Sequence, residues 1–116
     1  MTDTPAVPRR ASAADIEQAA QTSRLLAEPT RLGILLALLH ERDLAVGELA
    51  ARVDRPIAAV SQHLAKLKSG GLVRSTRDGA SIRYRLGDEH VIGLVENLLH
   101  HTEHLRYAVP PHHRAP

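Results

Sequence analysis

The sequence predicts a mainly α fold with one small β-hairpin, an α+β architecture, on three observations. Apolar residues recur every three or four positions along most of its 116 residues. One segment alternates instead around Asp78-Gly79. The apolar residues are almost all aliphatic, with Tyr84 and Tyr107 the only aromatics. A chain of this length buries roughly two thirds of its unfolded surface around a single core. An aliphatic core of that size gains from a second copy, so a homodimer is expected. With no cysteine, disulfides, thiolate zinc sites and a cysteine nucleophile are excluded. The longest uncharged apolar run, residues 32–39, is far short of the roughly 20 residues that span a bilayer, and residues 1–10 lack a signal-peptide core. A cytoplasmic protein with no membrane partner is expected.

Residues 1–10, with Pro5 and Pro8, read as a flexible arm; residues 11–105 read as the folded domain; residues 106–116, with three prolines and two histidines, read as a flexible tail. Ser12 is placed to cap a first helix over 13–27, where Ile16, Ala19, Ala20, Ser23 and Leu26 or Ala27 recur at helical spacing. Pro29 opens a second helix at its first turn, where a missing N–H costs nothing. Leu32, Leu35, Leu36 and Leu39 then predict its buried stripe through His40. A short third helix over 46–53 points Leu49, Ala50 and Val53 inward and stops at Asp54-Arg55-Pro56. Over 57–69, Ile57, Val60, Leu64 and Leu67 form the inner face, and Ala58, Ser61, Gln62, Ala65, Lys66 and Lys68 face out. Gly70 and Gly71 end that helix. Residues 73–86 alternate around Asp78-Gly79, a pair that favours a type I′ hairpin. A last helix starts near Asp88, whose carboxylate can cap it, and runs to about Leu105. Two helices joined by a tight turn, the second polar on its outer face and followed by a β ribbon, make a winged helix-turn-helix.

Charge is segregated along the chain. Residues 52–85 carry eight basic and two acidic side chains, +6 in a protein whose total is +2, so the remainder is acidic. A helix presenting Ser61, Gln62, His63, Lys66 and Lys68 can enter a major groove, where Gln and Ser pair with base edges and Lys neutralises phosphate. Arg74, Arg77 and Arg83 of the ribbon would reach the flanking backbone or minor groove. Polar residues on one helix are often only a solvated face, but here helix, glycine pair, hairpin and local charge coincide, which points to double-stranded DNA. His63, beside the Leu64 stripe, reads equally well as a packed or capping histidine and as a base contact.

Six of the eight histidines lie in the last 27 residues. On a helix, His90, His101 and His104 share one face, yet His90 stands about 16 Å along the axis from His101. One chain cannot close that gap around one ion. Two such helices packed antiparallel about a twofold axis would bring Asp88 and His90 of one protomer to His101 and His104 of the other, giving two equivalent sites. Val91, Val95, Leu98 and Leu99, with Ile92 and Leu94, are the expected dimer interface through these terminal helices, with help from the first helix. Further possible donors are His112 and His113 on the tail, Glu103, and His100, which points about 100° off the ligand stripe. Single histidines are more often structural than ligating, and it is the four-residue constellation that argues for metal. No nucleophile elbow, phosphate loop or HExxH motif is present, so no enzyme is expected.

The runs LAEPTRLGILLALL, ELAARVDRPIAAVSQHLAKLKSGGLV and RDGASIRYRL resemble the ArsR/SmtB family of metal-responsive winged-helix repressors over residues 25–104. The resemblance implies a dimer-helix metal site at Asp88, His90, His101 and His104, and implies that the family's other common site, a Cys pair near the third helix, is absent where this chain reads GELAARV. Similarity to actinobacterial nickel/cobalt sensors implies Ni(II) or Co(II) as effector, because zinc sensors of this type more often carry an acidic residue where His104 stands and because the AVPPHHRAP tail resembles histidine-adding tails. It also implies release of operator DNA on metal binding. Zn(II) at the same site is the alternative. A regulator with structural histidines that answers to an organic ligand or partner protein is the second reading.

Overall fold

The computed structural model describes residues 9–107, so most of the expected arm and tail, including His112 and His113, lies outside the described residues. The element order is α1 (Ala13–Leu26), α2 (Pro29–Glu41), β1 (Leu44–Ala45), α3 (Val46–Val53), α4 (Ile57–Ser69), β2 (Val73–Asp78), β3 (Ser81–Leu86) and α5 (Glu89–Arg106). The strands form one antiparallel sheet in the order β1-β3-β2. No helix among the described residues is long and apolar enough to cross a membrane.

Local chemistry sets the helix starts. Ser12 Oγ accepts the Asp15 N–H at 3.1 Å while the Asp15 carboxylate accepts the Ser12 N–H at 2.9 Å, a reciprocal capping box. Arg9 donates to the same carboxylate at 2.6 Å, and this contact, with the Ser12 bonds, lowers the Asp15 pKa to about 2. Glu28 caps α2 through the Arg31 N–H at 2.9 Å, with Pro29 in the first turn. Glu48 Oε1 reaches back to the Ala45 N–H at 2.8 Å at the start of α3. Asp54 ends α3 in the left-handed conformation, and three residues later α4 begins. That is the short turn a helix-turn-helix needs.

Three expectations are corrected. The buried stripe of α2 is Ile34, Leu35 and Leu38 with Thr30, whereas Leu32, Leu36 and Leu39 are only half-buried. Almost every side chain of α2 is apolar, and it touches α1, α3, α4, α5 and β3, so neighbours rather than periodicity select its buried arc. Ile57 is 54% exposed rather than inward, because it sits in the first turn of α4. The hairpin loop is Gly79-Ala80 rather than Asp78-Gly79: Asp78 pairs with Ser81 as the last rung, and Gly79, at φ 65°, takes the first loop position that a type II′ turn gives to glycine. The two-residue strand β1, which pairs Leu44 with Tyr84 and Ala45 with Arg83, has no alternating signal of its own.

The core is aliphatic throughout. Ile34, Leu35, Leu38, Leu49, Val60, Leu64, Leu67, Val73 and Val95 are fully enclosed, and Tyr84 packs at its edge. Gly87 joins the sheet to α5 where its N–H donates to the Leu72 carbonyl at 3.0 Å, and a Cβ there would lie on the Gly71 carbonyl oxygen. Because that obstacle is backbone, Gly87→Ala is expected to destabilise the fold by about 1–3 kcal/mol. Gly47→Ala, with open space around its Cβ, should be neutral or stabilise by up to about 1 kcal/mol. Urea denaturation of both variants at one protomer concentration measures the difference, and equal midpoints would refute the close approach.

Candidate nucleic-acid interface and metal ligands

Helix α4 rests on Val60, Leu64 and Leu67 and leaves Ser61, Gln62, Lys66 and Lys68 exposed, together with Ala58, Ala65 and Ser69. Helical spacing puts Lys66 and Lys68 on opposite flanks of an uncharged strip made by Ala58, Ser61, Gln62, Ala65 and Ser69. Lys68 leans toward the wing and donates to Ser75 Oγ at 2.8 Å. A neutral strip that can read base edges, flanked by cations that can meet phosphate, is the chemistry of a major-groove helix.

His63 stands apart from that strip. It is half-buried against α2, with Nδ1 3.3 Å from Nη1 of Arg31. A guanidinium only donates, so in this contact Nδ1 stands as the acceptor. Of the two readings of His63, the structure places it in the packed position. Arg31, on α2, bonds to both α1 and α4. Its Nε donates to the Leu25 carbonyl at 2.7 Å and its Nη2 to the Arg24 carbonyl at 3.5 Å, tying the end of α1 to α4. An arginine inside an apolar helix is the sequence signal, since it must find acceptors across a packing boundary.

The wing arginines divide by task. Arg83, expected to reach DNA, is engaged within the protein. Its guanidinium meets Asp43 Oδ1 at 3.1 Å, Glu48 Oε1 at 3.2 Å and the Asp43 carbonyl at 3.0 Å, joining β3 to the start of α3. The hydrogen bond to Asp43 also raises the Arg83 pKa. Arg52 is held by Glu41 through two bonds of 2.5 and 2.7 Å. Among the described residues, Arg74, Arg77 and Arg85 make no ion pair and are exposed. The +6 read along residues 52–85 is therefore only partly available to a ligand.

On α5, Asp88 does cap the helix, its Oδ1 accepting the Val91 N–H at 2.9 Å. His90, His101 and His104 are exposed, and His100 and Glu103 are half-buried. Among the described residues no three His, Asp or Glu side chains stand close enough to hold one ion, as the axial distance between His90 and His101 requires. Imidazole and carboxylate donors suit a borderline divalent ion such as Ni(II), Co(II) or Zn(II), but one chain does not assemble them. Asp88 also lines a groove with Arg74, Arg85, Ile92 and Glu96.

Two of the expected dimer contacts are corrected as well. Val91 and Val95 are 8% and 0% exposed within the single chain, because they pack on the protomer's own core. Leu99 is half-buried, and the exposed apolar arc is Leu94, Leu98 and Leu105, the last two 37% and 73% exposed. It runs beside the arc of His90, His101 and His104. Ile16 on α1 is likewise exposed.

Comparison with known proteins follows this geometry. A helix-turn-helix domain family matches residues 26–76. The HTH-type transcriptional regulator KmtR of Mycobacterium tuberculosis is 48% identical over 92 residues, covering 79% of this chain and 70% of KmtR. Among solved structures, the homodimeric winged helix-turn-helix domain of Mb0332 from Mycobacterium bovis, a possible ArsR-family regulator, superposes with a TM-score of 0.74 at 31% identity, over 95% of this chain and 99% of that one. The antimony-specific transcriptional repressor AntR gives 0.75 at 30% identity, over 91% and 97%. The chain belongs to the ArsR/SmtB family of winged helix-turn-helix transcriptional regulators.

Proposed function

We propose that this chain is a homodimeric, metal-sensing repressor acting on double-stranded operator DNA in the cytoplasm, with Ni(II) or Co(II) as the effector that lowers operator affinity. The carrying observation is the arrangement on α5, where exposed His90, His101 and His104 flank the uncovered leucines Leu94, Leu98 and Leu105. An antiparallel second copy covers those leucines and draws Asp88 and His90 toward the partner's His101 and His104. Similarity to an antimony-specific repressor and to a homodimeric neighbour supports the reading. Asp88, with Oδ1 engaged by the cap, has its other oxygen for the ion.

Four N/O donors suit Zn(II), the alternative effector; Ni(II) and Co(II) favour more donors, which His112, His113, Glu103 and His100 can supply. Metal bound between protomers would fix the two α5 helices in one relative orientation and so alter the spacing of the two α4 helices. A 10- to 100-fold change in operator affinity needs only about 1.4–2.7 kcal/mol of coupling.

Operator isotherms with Ni(II), Co(II) and Zn(II), run on wild type and on His101→Ala, test the effector: the variant is expected to bind DNA normally and to lose the metal response. An intact response in the variant would remove His101 from the metal site, and no response in wild type would move the assignment to an organic effector. Leu98→Glu should leave monomers in sedimentation velocity at micromolar concentration, and a monomeric wild type would sink the shared site. On DNA, Arg77→Ala should weaken operator and random duplexes alike, Gln62→Ala should erode sequence preference, and Arg83→Ala should lower the melting temperature without altering the salt dependence of binding. An Arg83→Ala protein with wild-type melting and a weaker salt dependence would return that residue to the interface.

A further inference from the structure

Resting on the DNA-binding reading above, we propose that the groove between α1 and the C-terminal half of α4 is a second phosphate clamp, which holds the sugar-phosphate backbone of the operator on the flank of α4 opposite the wing. The groove is lined by Gln18, Gln21 and Arg24 from α1, Arg31 from α2, and Lys66 and Ser69 from α4, and no carboxylate lines it. Three cations among amide and hydroxyl donors form a site for an anion. The groove between α2, the wing and α5 differs in kind, since Asp43, Asp88, Glu89 and Glu96 offset its arginines.

Two further features make the α1–α4 groove a built surface. Arg31 lines it with a half-buried guanidinium fixed by the Leu25 and Arg24 carbonyls and the His63 ring; the one carboxylate near Arg31, Glu28, caps α2 through the Arg31 N–H and does not line the groove. Leu25 and Gly70 also line it, and Leu25 lies where a Cβ on Gly70 would meet its side chain. The groove therefore keeps a fixed position beside the reading strip.

A helix lying in a major groove about 12 Å wide meets a phosphate wall on each side. Lys68 and the wing, bonded through Ser75, stand on one flank of α4. Lys66 and the α1 groove stand on the other. On α1, Gln18, Gln21, Thr22 and Leu25 share the face over α4, whereas Ile16, Ala19, Ala20 and Ser23 lie on the opposite arc. A dimer packed through Leu94, Leu98, Leu105 and the Ile16 side of α1 would leave this face of α1 uncovered.

The test is fluorescence anisotropy of wild type, Gln21→Ala/Arg24→Ala and Arg24→Lys on operator and random duplexes between 50 and 300 mM salt, repeated on duplexes shortened from both ends. We expect the double variant to bind both sequences about 3- to 10-fold more weakly. The slope of log affinity against log salt should fall by about one per protomer. Arg24→Lys, which keeps the charge, should retain most of the slope. The deficit should vanish on duplexes too short to offer flanking phosphates. An unchanged slope in the double variant, or a deficit that persists on the shortest duplex, overturns the clamp. If Gln62→Ala, run in parallel, still erodes sequence preference, the DNA-reading assignment survives that failure; if neither variant alters binding, the assignment itself falls.

Discussion

Everything in this fold leans on α2. With no Phe or Trp in the chain, the core has no large flat side chain to span gaps, and close packing must come from branched aliphatics interlocking around one central rod. Ile34, Leu35 and Leu38 supply it, and α1, α3, α4, α5 and β3 all contact α2. The functional consequence is geometric. The helix proposed to read DNA, α4, and the helix that carries the histidines, α5, rest on the same support, so a rotation of α5 on α2 has to be absorbed by the side chains that also seat α4.

Charge in the basic segment serves two ends. Arg52 and Arg83 sit in the same run as Lys66, Lys68 and Arg77, yet each is drawn back to carboxylates on neighbouring elements: Glu41 for the first, Asp43 and Glu48 for the second. Exposed ion pairs of this sort contribute little individually. The pairs of Arg83 nevertheless connect β3 to the start of α3, beside the two-residue ladder that joins β1 to β3. Among the described residues, Lys66, Lys68, Arg74, Arg77 and Arg85 of that run make no ion pair, and they lie along the flanks of α4 and on the ribbon, where their fields add.

Helix α5 shows how one amphipathic stretch can serve two cores. Val91 and Val95 are one turn apart and turn inward, while Leu94, Leu98 and Leu105 lie on the adjoining arc and stay uncovered. Burying a fully exposed leucine yields roughly 1.5–3 kcal/mol; Leu94 and Leu98, already partly covered, would gain a fraction of that and Leu105 most of it if a second molecule packed there. That the histidine arc adjoins the leucine arc means the surface a partner covers is also where ligands from two chains can converge.

Local chemistry made much of this legible from the sequence. Ser12, Pro29, the Asp54-Arg55-Pro56 break, Gly70-Gly71 and Asp88 each act within a few residues of themselves, through caps, missing N–H groups and backbone conformation, and they placed the helix starts and stops correctly. The polar face of α4 was equally visible, because a period of 3.6 sorts residues on an element with one buried side. Tertiary structure decided whatever depended on neighbours distant in the chain. The phase of α2 could not be read from a helix apolar nearly all round, nor could β1, whose two residues become a strand only because β3 lies beside them. Arg83 was indistinguishable from Arg77 until Asp43 and Glu48, some 40 and 35 residues away, came within reach. Likewise Val95 and Leu98 are both apolar residues of one helix, and only the placement of α2 and the sheet assigns the first to the protomer's own core and leaves the second exposed. A sequence records which surfaces are apolar or charged; the packing of remote segments determines which of them are already covered.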